Sequence, residues 1–187
     1  VMRTLAVDVT AARTQVVEAP VPVPAPRQIL VEVRTSAVNE MDVQVRAGGW
    51  ARQVSGFRKA GPVLTGFEFA GVARSDGARI AAGQRVIGYS PVLDGPRTHA
   101  QFAVIKERHV EPIPDDLSDE DAAALVVMGL TAIEVLERIR PLQPDQRALV
   151  IGAAGGVGIY SVQLAASQGA VVSAVAGVEP MSQRMMD

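Results

Sequence analysis

A glycine-rich run late in the chain is the pattern with the clearest chemical meaning. Gly152-Ala153-Ala154-Gly155-Gly156-Val157-Gly158 follows a short apolar strand, Leu149 to Ile151, and precedes an amphipathic helix. Against the pattern G-x-G-x-x-G, Ala153 takes the first position, Gly155 the second and Gly158 the third. Gly155 would let a pyrophosphate approach the backbone, and the helix N-terminus would offer it unpaired N–H groups. The pattern predicts a β-α-β dinucleotide site, and the alternative is a tight turn with a purely structural role.

The second strand of this unit, Val171 to Val175, bears on which dinucleotide would bind. NAD sites usually carry Asp or Glu at the end of that strand, but Ala176-Gly177-Val178 contains no acid. The gap leaves room for a 2′-phosphate, for which Arg184 is a cationic partner. Glu179 could serve NAD instead, and both charged residues could simply be solvated surface. The sequence favours NADP. The residues expected to contact the cofactor here are Ala153, Ala154, Gly155, Gly156, Val157, Gly158, Gly177 and Arg184.

The composition argues against several other kinds of site. The chain has no Cys, which removes disulfides, cysteine nucleophiles and thiolate metal ligands. The net charge is −2, the basic residues are dispersed and only 4% of residues are aromatic, so a nucleic-acid surface is not expected. No apolar stretch is long enough for a membrane span and no secretory leader is evident. We expect a cytoplasmic protein with no nucleic-acid or membrane partner.

Residues 1 to about 112 are predicted to form a β-rich domain of short strands. Ile29 to Arg34 alternates apolar and polar residues, and a helical segment follows with Asn39 or Asp42 as its cap. Glu68 is the single acid in the apolar stretch Val63 to Val72, so its carboxylate is expected to be paired or hydrogen-bonded. Strands at 79–80 and 85–87 are predicted to form a hairpin.

Two helices are predicted after this domain. Ser118 followed by Asp121, with further acids in the first turn, indicates a helix start. The helix from Asp119 is predicted to break at Gly129, and Thr131 to Ile139 to form a second helix.

Six segments in order resemble the medium-chain dehydrogenase/reductase superfamily, and within it the zinc-independent quinone oxidoreductase (zeta-crystallin-like) branch. They are ILVEVRTSAVNEMD, LTGFEFAGV, AAGQRVIG, HAQFAVIKERHVEPIPDDLSDEDAAAL, GLTA and ALVIGAAGGVGIYSVQLA. The resemblance implies an α/β protein: a GroES-like β-rich catalytic domain over 1–117, and part of a Rossmann doubly wound parallel sheet over 118–187. The active site would lie in the cleft between the domains.

The resemblance also implies roles for individual residues. Zinc-dependent members carry an early Cys and a Gly-His-Glu motif, whereas this chain has no Cys and reads Gly66-Phe67-Glu68, so no metal site is expected. Asn39 would lie near the nicotinamide and the substrate oxygen, with a helix cap as its alternative role. Thr131 in GLTA would meet the nicotinamide region, or cap a helix.

The proton donor is harder to place. Many relatives have a Tyr five residues after the matching Asn, where this chain has Gln44. Tyr89 could reach the cleft, and water could supply the proton instead. His99 and His109 are expected to have structural roles.

Without a metal Lewis acid, the expected reaction is hydride transfer from NADPH to a quinone or an α,β-unsaturated carbonyl compound. The alternatives are an enoyl-thioester reductase, free-standing or polyketide-associated, and a non-catalytic dinucleotide-binding protein. A doubly wound sheet has about six strands, and this sequence supplies two of them. We therefore expect the chain to be part of a longer protein that forms a homodimer when complete.

Overall fold

The computed structural model describes residues 1–8, 13–48, 63–95, 97–139 and 141–177. The chain divides into two compact units, Val1–Val126 and Val127–Asp187. The boundary predicted from the sequence, after residue 117, stays a prediction. Two short 3-10 helices, Val92–Asp94 and Glu107–His109, accompany the main elements. In chain order these are β1 Met2–Asp8, β2 Arg13–Ala19, β3 Gln28–Thr35, α1 Glu40–Arg46, β4 Val63–Leu64, β5 Glu68–Ala73, β6 Arg85–Tyr89, β7 Phe102–Lys106, β8 Val110–Pro112, α2 Asp119–Ile139, β9 Arg147–Ile151, α3 Gly156–Ser167 and β10 Val171–Val175.

The first unit is built from two antiparallel sheets. One has three strands in the order β2-β1-β4, and the other has five in the order β7-β3-β5-β6-β8. Alternate residues of β3 are buried, as its sequence pattern predicts. They belong to a core whose fully buried members are Ile29, Val31, Phe69, Ala73, Ile80, Val86, Ala103, Ile105 and Val110.

A second apolar cluster joins the five-stranded sheet to the start of α2. Ala70 of β5 packs with Ile113 and with two alanines of α2, Ala122 and Ala123. Arg85 of β6 donates to the Asp119 carboxylate at 2.8 Å. The start of α2 is therefore fixed to the sheet by both apolar packing and an ion pair.

The predicted hairpin between residues 79–80 and 85–87 is wrong, although residues 85–87 do form a strand. They belong to β6, which pairs antiparallel with β5 instead, from Glu68 opposite Tyr89 to Val72 opposite Arg85. Residues 79–80, however, form no strand. The side chain of Ile80 enters the core, and its N–H donates to the Glu107 carboxylate at 3.0 Å instead of to a neighbouring strand.

The predicted break at Gly129 is wrong, because α2 runs continuously from Asp119 to Ile139. Its start is as predicted, with the Ser118 hydroxyl accepting the Asp121 N–H at 3.0 Å. A glycine inside a helix costs only about 1 kcal/mol relative to alanine, and its neighbours here favour the helix. Thr131 lies in the middle of α2, so its predicted alternative role as an N-cap is also wrong.

The second unit contains the predicted β-α-β arrangement. β9 and β10 pair in parallel, from Arg147 opposite Val171 to Ile151 opposite Val175, and α3 connects them. The end of β10 also holds the glycine turn, since the Val175 carbonyl accepts the N–H groups of Gly152 and Ala153 at 2.9 and 3.0 Å.

Candidate functional site

The first unit contains a cluster of hydrogen-bonded polar side chains, and one of its members, Asn39, caps α1. Its side-chain oxygen accepts the Met41 N–H at 2.9 Å, and its own N–H donates to the Asp42 carboxylate at 3.1 Å. The Asn39 side chain also accepts the Asp42 N–H, and this contact together with the Asn39 N–H bond to Asp42 forms a capping box, which satisfies backbone donors that the helix leaves unpaired. The prediction that Asn39 or Asp42 caps this helix is confirmed, with both residues taking part.

The other end of the Asn39 amide is held by Glu68. Asn39 Nδ2 donates to Glu68 Oε1 at 2.9 Å, and Glu68 is only 1% exposed. The expectation that this buried carboxylate is hydrogen-bonded is confirmed. The orientation of the amide follows, because the opposite one would set oxygen against carboxylate and N–H against N–H.

The main chain of Glu68 is also held by hydrogen bonds. Its carbonyl oxygen accepts the hydroxyl of Ser36 at 2.6 Å and that of Thr98 at 2.9 Å. The two hydroxyl oxygens lie 3.0 Å apart. Two separate segments of the first unit, the loop before α1 and the segment that contains Thr98, therefore converge on the start of β5.

Gly66 occupies a position that only glycine fits. Its φ is +92°, and a Cβ built there would lie 2.2 Å from the backbone nitrogen of His99. Its N–H donates to the second oxygen of Asp42 at 2.9 Å. Asp42, which is 6% exposed, thus ties the cap of α1 to the segment before β5.

His99 completes this cluster in a structural role, as expected from the sequence. Its Nε2 lies 3.0 Å from the Ala37 carbonyl, and its Nδ1 lies 2.9 Å from the Thr65 hydroxyl. A carbonyl can only accept, so we assign the proton to Nε2, which leaves Nδ1 to accept the Thr65 hydroxyl. Both ring nitrogens are therefore engaged by the fold.

Tyr89 lies opposite Glu68 in the β5–β6 ladder, and its ring packs edge-on against His109 with the centroids 4.8 Å apart. Within the described ranges, no hydrogen bond joins Tyr89 to Asn39. Its catalytic assignment stays a prediction, and the structure supplies a packing role.

His109 is the titratable group next to Tyr89. Burial lowers its pKa below the ordinary value of 6.5, and the positive charge of Arg108 lowers it further. The carboxylate of Asp94, 3.8 Å away, acts in the opposite direction. Burial prevails, so folding favours the neutral ring.

Gln44, at the position where the resemblance implies Tyr, has a partner on its own helix. Its Nε2 donates to Glu40 Oε1 at 2.7 Å, across one turn of α1, and the side chain is exposed. This local pair gives Gln44 no evident role in proton transfer.

The glycine turn of the second unit leads directly into the start of α3. Gly155 is the N-cap residue, and no side chain caps this end of the helix. The first helical bond runs from the Ile159 N–H to the Gly155 carbonyl, so the helix itself does not use the N–H groups of Gly156, Val157 and Gly158. These three donors can bind an anionic group.

The turn also explains the spacing of its glycines. A Cβ at Gly158 would lie 2.2 Å from the Gly152 carbonyl oxygen, so the start of α3 packs closely on the turn that follows β9. The residue with positive φ is Gly152, at +78°, rather than Ala153 at the first motif position. The sequence pattern placed Gly152 in the turn but assigned the tight-turn position to Ala153, although a glycine directly after an apolar strand is a signal for positive φ. Ala153 is fully buried and has no unusual backbone angle.

The remaining predicted cofactor residues are Thr131, Gly177, Ala154 and Arg184. Thr131 is exposed on α2, and its hydroxyl donates to the Val127 carbonyl at 2.7 Å. Gly177 follows β10, and a Cβ there would meet nothing within 4 Å. Ala154 lies inside the turn. Arg184 and Glu179 lie outside the described residues, so the features behind the preference for NADP over NAD have no structural description.

Two further properties concern only the part of the chain that the structure describes. Within it, no group of three or more His, Cys, Asp or Glu side chains could hold a metal ion. No helix within the described ranges is long and apolar enough to cross a membrane.

Comparison with known proteins gives consistent matches. Residues 25–115 match the alcohol dehydrogenase GroES-like domain family. Quinone oxidoreductase of Mus musculus is 33% identical over 162 residues, which cover 85% of this chain and 46% of the mouse protein. A highly reducing polyketide synthase of Cladosporium cladosporioides is 36% identical over 162 residues, covering 87% of this chain and 6% of the synthase.

A solved structure has the same fold. An alcohol dehydrogenase superfamily protein from Novosphingobium aromaticivorans superposes with a TM-score of 0.89 at 28% identity, covering 100% of this chain and 56% of its own. The predicted fold class is thus confirmed. The chain spans about half the length of the mouse relative it matches.

Proposed function

We propose that this chain, which resembles the quinone oxidoreductases of the medium-chain dehydrogenase/reductase superfamily, carries the substrate and dinucleotide sites of a zinc-independent, NADPH-dependent oxidoreductase. The acceptor would be a quinone or an α,β-unsaturated carbonyl compound. When bound, NADPH would supply the hydride.

The observation that carries the proposal is the start of α3. Three backbone N–H groups there are not used by the helix, and Gly155 supplies no side chain to cap them. A Cβ at Gly155 would meet only the Gly152 carbonyl, at 3.3 Å, so the place where a pyrophosphate would approach is open. These features fit a dinucleotide phosphate.

At the substrate end, Asn39 is the group proposed to act on the acceptor. Its amide oxygen is committed to the cap of α1, so the group it can present to a ligand is an N–H. An N–H donor stabilises the negative charge that develops on the oxygen of an enolate or a hydroquinone. The final proton would come from water.

The zinc-independent part of the proposal rests on the residue types present. The chain has no Cys, and Phe67 stands where zinc-dependent relatives have a histidine ligand. Phe67 is 1% exposed and therefore belongs to the packed interior. Polarisation of the acceptor oxygen would then depend on hydrogen bonds.

A second function is favoured by a separate finding. The stretch similar to a highly reducing polyketide synthase is 36% identical, slightly more than for the mouse quinone oxidoreductase at 33%. An enoyl-thioester reductase would use the same hydride chemistry, with a thioester carbonyl as the group that receives negative charge. It is the alternative acceptor class.

Steady-state NADPH oxidation by the full chain tests the proposal. We expect a quinone or a simple enone to give a higher kcat/KM than an enoyl thioester of similar size. The reverse order would favour the enoyl-thioester reductase. NADPH binding without turnover of any acceptor would contradict both enzymatic readings.

A further inference from the structure

We propose that Glu68 is a positioning residue that aims an N–H of Asn39 at the substrate oxygen, an inference that rests on the proposed function. The Asn39 amide has two anchors. Met41 N–H fixes its oxygen at 2.9 Å, and Glu68 Oε1 fixes its nitrogen at 2.9 Å. With only one of these two hydrogen bonds, the amide could rotate about its side-chain bonds.

Glu68 is suited to this role because it is itself held in place. It is 1% exposed, and its main-chain carbonyl accepts hydroxyls from Ser36 and Thr98. Asn39 is only partly buried. The buried partner therefore sets the position of the more exposed one.

The nitrogen of Asn39 carries two hydrogens, and Glu68 accepts one of them. Among the residues the structure describes, the second hydrogen has no acceptor. It is the group that we assign to the substrate. The preferred ligand atom is consequently an acceptor, such as a carbonyl, enolate or quinone oxygen, and not a hydroxyl that needs to donate.

A polarity swap between the two residues separates positioning from mere stability. In Asn39→Asp the cap is preserved, because Asp caps helices as well as Asn does. The new carboxylate then faces Glu68, so we expect the melting temperature to fall by about 5 °C. Adding Glu68→Gln restores an amide-to-carboxylate bond in the opposite direction, and should recover most of that loss.

Activity should not follow stability in this pair. The double variant lacks the Asn39 N–H, so its kcat should stay reduced by about tenfold or more. Glu68→Gln alone keeps an acceptor for Asn39 and should lose no more than about threefold in kcat, whereas Glu68→Met should lose about tenfold with little change in KM for NADPH. Glu111→Gln, an exposed carboxylate in the same unit, is the control for charge loss.

Each result has a defined meaning. Recovery of kcat together with stability in the double variant would reduce the pair to a structural contact and overturn the proposal, as would equal kcat values for Glu68→Gln and Glu68→Met. If the wild-type protein turns over no acceptor, the proposed function fails. The melting temperatures still test the geometry in that case. If Asn39→Asp lowers the melting temperature equally in the wild type and in the Glu68→Gln variant, the Asn39 amide does not donate to Glu68 and the proposal is overturned.

Discussion

Two buried carboxylates in the first unit are held by backbone N–H groups. Asp42 accepts N–H bonds from Asn39 and Gly66. Glu107, which is 7% exposed, accepts N–H bonds from Arg79 at 2.6 Å and from Ile80 at 3.0 Å. In Glu107 these bonds are made to the charged form, so they tie the local structure to the ionised carboxylate.

Glu107 gives the first pH prediction. The Arg79 N–H bond is the main cause that holds the pKa of Glu107 below its ordinary value of 4.5. The unfolded state therefore binds the proton more readily, and the stability from this group is present above pH 4.5 and lost as the pH falls through the folded-state pKa. Glu107→Gln should flatten the acid limb of a urea-unfolding series. Glu134→Gln, at an exposed site on α2, should leave that limb as it is in the wild type.

His109 gives a prediction at milder pH. Its pKa is lowered from 6.5, mainly by burial, so the unfolded state again binds the extra proton more readily. Wild-type stability should rise with pH through the window just below 6.5 and fall as the pH is lowered through it. His109→Phe keeps an aromatic ring against Tyr89 and removes the titration, so its free energy of unfolding should vary less between pH 5 and 7. An equal slope in both proteins would contradict this assignment.

Several contacts between the site residues could not be predicted from the sequence, because they join distant segments of the chain. The cap at Asn39 is predictable because its partners are two and three residues away. The bond from Asn39 to Glu68 spans 29 residues and that from Gly66 to Asp42 spans 24, so both depend on how the sheet folds. The sequence indicated that Glu68 needs a partner, but not which one.

At the scale of elements, local signals were accurate where adjacent residues decide the structure. The strand Val171 to Val175 and the start of the helix after Ser118 are as predicted. Predictions were wrong where tertiary contacts or neighbouring residues outweighed a weak local preference. Gly129 does not end a helix, and the N–H groups of residues 79–80 bond the Glu107 carboxylate and not a neighbouring strand.

Gly129 offers a direct test of the continuous helix. A Cβ there would meet nothing within 4 Å, so Gly129→Ala should raise the free energy of unfolding by about 0.5–1 kcal/mol. The same substitution at Gly158 should lower it, because that Cβ would lie 2.2 Å from the Gly152 carbonyl oxygen. Urea unfolding measures both. Destabilisation by Gly129→Ala would indicate that the helix breaks or is packed there.

At the scale of the whole molecule, each unit has its own character. The first has two apolar clusters that pack against its five-stranded antiparallel sheet. The second leaves apolar strand residues exposed on its two-stranded parallel sheet, with Leu149 at 64% and Ile151 at 77%. Strands of parallel sheets are normally covered on both faces and are therefore apolar. The sequences of β9 and β10 have this apolar character even though their residues are exposed.

The fold class was predictable because six segments resembled one family in the same order. The strand, turn and helix signals within these segments also agreed with the elements that the resemblance implies. The acceptor was not, since quinones, enones and enoyl thioesters ask for the same hydride chemistry and the same N–H donor. The relatives reflect this, as they include both a quinone oxidoreductase and a polyketide synthase.

Whether the glycine turn before α3 binds NADPH can be measured by titrating NADPH into the full chain and into two variants. Gly155→Ala adds a methyl group that the protein can accommodate, 3.3 Å from the Gly152 carbonyl, but places it where the pyrophosphate would lie. Gln163→Ala alters an exposed residue of the same helix and serves as the control. We predict that Gly155→Ala weakens NADPH binding by about tenfold or more while its melting temperature stays close to that of the wild type. Equal NADPH affinity in all three proteins, or no binding by the wild type, would contradict the account.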